Sequence, residues 1–300
     1  MNVYSIIKEK FKDDAVLNLN AKEITSYKTG GKIEVVVYPR NVEDLVWLFE
    51  FIKKENINYF ICGNCSNILL SDEGFKGVFI KTDKFKNIFK NKNKIFVSCG
   101  YDWDRFIEFS VLNSLKGLEK TSYIPGTVGG AVRMNAGAFG EETFDRLINV
   151  LVLDIQKGAV KRIEKKEIKY GYRRVDNFEN YFIIEAGFEF EYGNKENLFE
   201  IRNDVIKRRK EKQPLEYPSA GSVFKRPEGN YASKLIDDCG LKGFRIGGAM
   251  VSTKHAGFII NYDNATSTDI YSLIMKVREE VYKKTGIKLE LEQIIVGEFN

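Results

Sequence analysis

An α+β fold in more than one domain follows from three features of the sequence. The first half alternates β-branched runs with helical periodicity, the middle section is β-rich, and the C-terminal part places two helical patterns ahead of a last apolar run. The 300 residues suit two or three cores at about 100 to 200 residues per domain. In order, Ile33 to Tyr38 is a β-branched run stopped by Pro39, and Asn41 is placed to cap a helix with apolar residues at Val42, Leu45, Val46, Phe49 and Ile52. Strand-like runs follow at Tyr59 to Cys62, Val78 to Lys81 and Lys94 to Ser98, and Trp103, Phe106, Ile107, Ser110 and Val111 mark a second helix. From Thr121 to Gly140 the periodicity stops in a loop with five glycines, whose only charged residue is Arg133. Such a segment suits close backbone contact. Strands are expected at Ile148 to Asp154, Val160 to Ile163 and Tyr181 to Glu191, the first two joined by a turn at Gln156-Lys157-Gly158. A helix through Leu198, Ile201 and Val205 runs into Lys207-Arg208-Arg209-Lys210 before Pro214 and Pro218, with a domain boundary near Asn194. The remainder holds a loop around Gly221, a helix from Tyr231, a glycine-rich stretch from Gly240 to Gly248, a helix from Ser267 to Lys284 and a final strand from Ile287 to Val296.

Composition narrows the chemistry. Forty-seven basic against 42 acidic residues leave +5, spread along the chain, which does not call for nucleic acid and suits either an unremarkable surface or a pocket for phosphorylated ligands. His255 is the sole histidine, so a Ser-His-Asp triad has one possible location and no metal centre is expected. Cys62 and Cys65 form a C-x-x-C that reads either as a redox dithiol or as a strand end followed by a loop substitution; no second pair completes a zinc site. Lys8 and Glu9 interrupt the N-terminus before a signal-peptide core can form, and the longest uncharged stretch, Asn56 to Ser71, falls short of a membrane span. A cytoplasmic protein without membrane or nucleic-acid partners is expected.

Neither common nucleotide fingerprint is present: no G-x-G-x-x-G follows a strand, and Gly30-Gly31-Lys32 lacks the Walker spacing. Two loops after strands, Gly63 to Asn67 and Pro125 to Gly130, offer bare N–H groups and hydroxyls of the kind phosphate oxygens need. Together they suggest an elongated diphosphate ligand.

Five ordered blocks carry a more specific signal: GNCSNILLSDEGFKGVFI from Gly63, IPGTVGGAVRMNAGAFG from Ile124, YGYRR from Tyr170, QPLEYPSAGSVFKRP from Gln213, and ASKLIDDCGLKGFRIGGAMVSTKHAGFIIN from Ala232. In these blocks the chain resembles the UDP-N-acetylenolpyruvoylglucosamine reductases, in the shorter of their two structural types. The resemblance implies two FAD-binding subdomains of the vanillyl-alcohol-oxidase/PCMH type, placed at 1–82 and 83–194, and a C-terminal α/β substrate domain at 195–300. It implies non-covalent FAD, with its diphosphate against Gly63, Asn64, Ser66 and Asn67 and the cofactor lined by Pro125, Gly126, Thr127, Gly129 and Gly130. NADPH is the implied hydride source. The resemblance further implies that hydride passes by flavin N5 to the enolpyruvyl β-carbon of UDP-N-acetylglucosamine enolpyruvate, giving UDP-N-acetylmuramate for peptidoglycan.

Addition of hydride builds negative charge beside a carboxylate, so the site needs donors on that carboxylate and an acid for the α-carbon. By resemblance Ser222 is the acid and Arg173 and Glu292 attend the carboxylate; Arg209, Lys212 and Lys225 contact substrate. By themselves, Ser222 reads as a turn hydroxyl, Arg173 as a surface residue, Glu292 as a solvated carboxylate alternating with Glu290 on a strand, and Arg209 and Lys212 as a solvated helix end. His255 reads as structural. Four residues depart from the family pattern: Cys65 and Tyr123 replace glycines, Val175 a serine and Arg226 an asparagine. A left-handed backbone would cost Cys65 about 1 kcal/mol or more, so an ordinary backbone angle is expected there. Two other readings stand beside this one, a different oxidase with covalent flavin on the same scaffold and a nucleotide-sugar or nucleic-acid binding module. The oligomeric state is left open and is compatible with a monomer.

Overall fold

The β-branched run becomes the strand Lys32–Val37, and Asn41 caps the helix Val42–Lys54 by accepting the Asp44 N–H at 2.8 Å. Strands Tyr59–Cys62 and Lys94–Ser98 and the helix Trp103–Leu112 form where the periodicity puts them. A helix at Val3–Phe11 and a strand at Ala15–Asn20 precede the elements read from the sequence. The computed structural model describes residues 2–299. The chain divides into two compact units, one of Met1–Leu17, Val35–Gly63 and Gly77–Arg208, the other of Asn18–Glu34, Asn64–Lys76 and Arg209–Asn300, each with its own apolar core.

In the first unit five antiparallel strands lie in the order Ala159–Glu164, Leu147–Asp154, Tyr181–Glu189, Lys94–Ser98, Ile88–Asn91. Tyr59–Cys62 runs parallel to the end of Phe75–Lys81, with Tyr59 opposite Val78. Helix Trp103–Leu112 presents Trp103 and Phe106 to the core: the Phe106 and Phe188 rings are 4.8 Å apart and the Trp103 indole N–H reaches the Thr121 hydroxyl at 3.2 Å. Ring pairs of this kind contribute about 0.5–1.5 kcal/mol beyond their burial.

In the second unit Ile68–Leu70 pairs in parallel with Ile294–Val296, and Arg245–Ile246, Ala249–Val251 and Ile259–Asn261 form an antiparallel trio. Helix Ser267–Thr285 buries Ile270, Leu273, Ile274, Val277 and Val281 along one face. Its start is fixed by a Thr266–Asp269 capping box and by Asp72, whose carboxylate accepts the N–H groups of Ser267 at 2.9 Å and Thr268 at 2.8 Å.

Two elements differ from the sequence reading. The glycine-rich segment contains a helix, Val128–Met134, capped by Thr127 and closed by Asn135 in the left-handed region. The final strand spans only Ile294–Val296; before it, Glu290 and Glu292 belong to an extended segment that meets residues 223–225 through the single bridge Phe224–Leu291.

Candidate active site

In the first unit Gly63, at the end of a strand, closely approaches Thr127. A Cβ at Gly63 would lie 2.2 Å from Thr127 Oγ1, so only glycine permits this approach. Lys81, buried, donates from Nζ to the Gly63 carbonyl and fixes the strand end. A Cβ at Gly129 would stand 2.8 Å from the Cys99 Cβ, which explains a glycine inside a helix that it disfavours by about 1 kcal/mol. The N–H groups of Val128, Gly129 and Gly130 all have internal acceptors: Tyr101 O at 2.9 Å, Cys99 O at 2.8 Å and Thr127 Oγ1 at 3.3 Å. This corrects the expectation that the loop offers bare N–H groups at those positions. Gly130 is exposed, with no atom nearer than 3.5 Å to a Cβ built there, and Pro125 is exposed as well. Thr82, whose N–H donates to Cys62 O at 3.2 Å, buries a hydroxyl that has no hydrogen-bond partner among the described residues. A narrow glycine cradle with an orphaned hydroxyl beside its strand end suits an elongated polar cofactor such as FAD.

Cys65 has φ +52°, contrary to the ordinary angle expected of it, and Tyr123 has φ +63°. Both departures keep the backbone form that favours glycine. Cys65 is buried, and its thiol, like those of Cys62, Cys99 and Cys239, is unbridged. The left-handed angle predicts a contrast: Cys65→Gly retains flavin and melts near the wild-type temperature, whereas the β-branched Cys65→Val melts lower. Thermal denaturation of both would decide it, and equal tolerance would contradict the assigned backbone. The Tyr123 angle is held through its N–H, which donates to Asp104 Oδ1 at 2.6 Å; Asp104 in turn receives the buried Arg202 guanidinium at 2.5 and 2.9 Å. Nothing in the sequence pattern pointed to that pair.

Arg173 is half-buried in the hairpin between Tyr170–Gly171 and Arg174–Val175, at φ +52°. Its guanidinium donates from Nη1 to Asn135 O at 3.1 Å and from Nη2 to Gly137 O at 2.6 Å. Asn135, fully buried, uses its side chain as well, donating to Glu142 Oε2 at 2.7 Å and Gly171 O at 3.1 Å while accepting the Phe144 N–H at 3.1 Å. Arg173 therefore rests on backbone carbonyls and an asparagine hub, while Val175 is buried and uses its carbonyl to accept Arg133 Nη1 at 2.9 Å.

The second unit gathers Asn67, Ser222 and Glu292. The Glu292 N–H donates to Val223 O at 2.9 Å, Lys225 N–H to Glu290 O at 2.9 Å, and Asn67 Nδ2 to Glu292 O at 3.1 Å. Ser222 bridges Phe258 on its other side and follows Gly221, which has φ +74°. Asn64 is exposed and Ser66 half-buried. Lys225 Nζ lies 3.7 Å from Glu290, Arg226 lies 4.4 Å over the Tyr231 ring, and on helix Lys195–Lys212 Arg209 is buried while Lys212 is exposed. His255 has a structural place: its Nδ1 accepts the Gly257 N–H at 3.1 Å and its ring meets Phe258 edge-on. Burial lowers its pKa below the ordinary 6.5. The unfolded chain thus takes up the proton first, and stability is expected to fall as pH drops below about 6.5. The ring proton resonance of this sole histidine, followed by NMR, should titrate with a midpoint under 6.5; one at or above it would contradict the buried neutral ring. Among the described residues no group of three or more His, Cys, Asp or Glu is placed to hold a metal, and no helix is long and apolar enough to cross a membrane.

Comparison with known proteins agrees with this architecture. Residues 33–164 match the family model of an FAD binding domain, and residues 213–296 that of the UDP-N-acetylenolpyruvoylglucosamine reductase C-terminal domain. The reductase of that name from Caldicellulosiruptor saccharolyticus is 42% identical over 97% of this chain and 94% of its own, and that from Clostridium kluyveri 43% identical over 95% and 94%. The crystal structure of UDP-N-acetylenolpyruvylglucosamine reductase from Thermus caldophilus superposes with a TM-score of 0.81 at 31% identity, covering 94% of this chain and 98% of that one. p-Cresol methylhydroxylase shares the fold alone, with a TM-score of 0.58 at 11% identity over 98% of this chain and 88% of its own. The glycine cradle, the paired segments around Ser222 and Glu292, and matches that run nearly the length of the chain lead to one conclusion: the chain belongs to the UDP-N-acetylenolpyruvoylglucosamine reductase family, oxidoreductases with an FAD binding domain of the PCMH-type flavoprotein fold.

Proposed function

We propose that the protein reduces UDP-N-acetylglucosamine enolpyruvate to UDP-N-acetylmuramate with NADPH, in the cytoplasm, for peptidoglycan precursor synthesis. When bound, FAD would supply the hydride chemistry, through N5, that links NADPH to the enolpyruvyl β-carbon. Gly63, Asn64, Ser66 and Asn67 hold its diphosphate, and Pro125, Gly126, Thr127, Gly129 and Gly130 line it without a covalent bond. Gly129 and Gly130 do so by shape, since their N–H groups are already satisfied within the protein. We divide the chain functionally into FAD-binding subdomains at 1–82 and 83–194 and a substrate domain at 195–300.

The residues divide the chemistry between them. Arg173, its guanidinium held by two backbone carbonyls, neutralises the enolpyruvyl carboxylate as charge builds on it. Glu292 donates a proton-bearing contact to the same group, because an ionised carboxylate there would repel the developing charge. Ser222 gives its hydroxyl proton to the α-carbon. Arg209, Lys212 and Lys225 bind the charged parts of the substrate. The observation that carries this reading is the backbone pairing of residues 223–225 with 290–293, which puts Ser222, immediately before the paired segment, close in the chain to the partner of Glu292.

The visible absorption spectrum of the purified protein tests it first. Flavin bands that NADPH bleaches and the enolpyruvyl substrate restores, with all flavin released by acid precipitation, are the expected result. Flavin that stays with the precipitate would favour the covalent-oxidase reading, and a colourless protein that takes up no FAD would overturn the proposal.

A further inference from the structure

Gln293 follows Glu292 and is buried at 4% exposure beside Tyr27 and Ala220 of the second unit's core. Its carboxamide is fully engaged. Nε2 donates to Ala220 O at 2.9 Å and Gly221 O at 3.3 Å, and Oε1 accepts the Tyr27 hydroxyl at 3.0 Å. The orientation of the amide follows from its partners: both carbonyls can only accept, so the nitrogen must face them, which leaves the oxygen for the phenol. Tyr27 is also wholly buried, and burial pushes its phenol far above the ordinary value, so it stays a donor.

The two carbonyls that Gln293 grips belong to the turn immediately before Ser222, where Gly221 has φ +74°. Beyond Ser222, Val223 donates its N–H to Gly257 O at 3.0 Å and its carbonyl accepts the Glu292 N–H at 2.9 Å. Ser222 is thus held on both sides, and the hold on the near side comes from the residue covalently next to Glu292. One side chain sets the serine against the glutamate.

We propose that Gln293, supported by Tyr27, is a positioning residue that fixes the Ser222 turn relative to Glu292, so that the hydroxyl proton is delivered at the α-carbon. The inference rests on the role assigned to Ser222 above. Gln293 touches neither substrate nor cofactor in this account; it acts through Ser222. Misplacing a reacting group by about 1 Å lowers rate by about 10²-fold, which is the scale of effect to look for.

The test uses the FAD-loaded full-length protein and rapid mixing. Bleaching of the flavin by NADPH reports the first half-reaction, and recovery of absorbance on adding the enolpyruvyl substrate reports the second. Gln293→Met is expected to leave the first within about twofold and to slow the second by about tenfold or more; Tyr27→Phe, which keeps the ring and removes one hydrogen bond, should slow it severalfold. In a Ser222→Ala background neither substitution should slow recovery further, because both act through the missing hydroxyl. The same loss in both backgrounds, or equal slowing of the two half-reactions, would overturn the proposal and make Gln293 a packing residue. If Gln293→Met does not accumulate as folded protein, Tyr27→Phe decides: an unchanged second half-reaction overturns the inference. Ser222→Ala alone separates the two levels, since wild-type recovery in that variant removes the role of Ser222 itself and the inference with it, whereas a slow Ser222→Ala with additive Gln293 effects sinks only the inference.

Discussion

Ser222→Ala is expected to bind FAD and to be bleached by NADPH at a near wild-type rate, while recovery with the enolpyruvyl substrate slows about 10²- to 10⁴-fold, the usual contribution of a positioned general acid. That range is about 3 to 5 kcal/mol of barrier. An unperturbed hydroxyl is a very weak acid, so the proposed role requires a strongly basic intermediate at the α-carbon and a proton held beside it. The turn at Gly221, the bridge to Phe258 and the Glu292–Val223 hydrogen bond fix the backbone on both sides of the serine. Ser222→Cys keeps a proton in nearly the same place and should retain part of the turnover. Rapid mixing with each variant separates the steps, and wild-type-like recovery by the alanine variant would remove Ser222 from the mechanism.

Gly63→Ala is the second large effect. The added carbon would sit 2.2 Å from Thr127 Oγ1 and 2.8 Å from its Cγ2. The threonine has little room to swing away, because it is β-branched and its hydroxyl accepts the Gly130 N–H as the helix cap. Either the strand end or the cap must move, at about 1–3 kcal/mol for overpacking of this kind. Both lie in the cradle, so flavin affinity should fall by up to about 100-fold, read by titrating the apoprotein with FAD. Gly63→Ala/Thr127→Ala removes the clashing atoms and should recover part of the lost affinity. Full affinity in the single variant would contradict the close approach of Gly63 to Thr127.

Elements with a strong local signal were legible in the sequence. Tyr59–Cys62 and Lys94–Ser98 have the same bounds in the structure as in the periodicity, and Asn41 caps the helix it was expected to cap. The helix Val128–Met134 was hidden because Gly129 and Gly130 lower helix propensity, and the reason for Gly129 is a packing contact with Cys99, about thirty residues away in sequence. Cys65 misled for the opposite reason: the turn keeps its left-handed form and the residue bears the strain. The apolar alternation from Ile287 to Leu291 reads as strand, yet the segment buries side chains without a continuous ladder. At the site, the glycine loops have a local signature, whereas Ser222, Arg173 and Glu292 came only through resemblance to a family. Gln293 had neither, since its partners lie 73 and 266 positions away in the chain. A single glutamine ahead of Ile294 and Ile295 carries no pattern to read.

Isotope placement in one turnover separates the proposed hydride and proton transfers. With NADPH carrying deuterium in its transferable position and ordinary water, deuterium is expected at the β-carbon of the lactyl group of the product; with ordinary NADPH in D₂O it is expected at the α-carbon. Mass and NMR analysis of UDP-N-acetylmuramate reads both. No solvent deuterium at the α-carbon in D₂O, or formation of no UDP-N-acetylmuramate by FAD-loaded protein, would contradict the proposed division of hydride and proton.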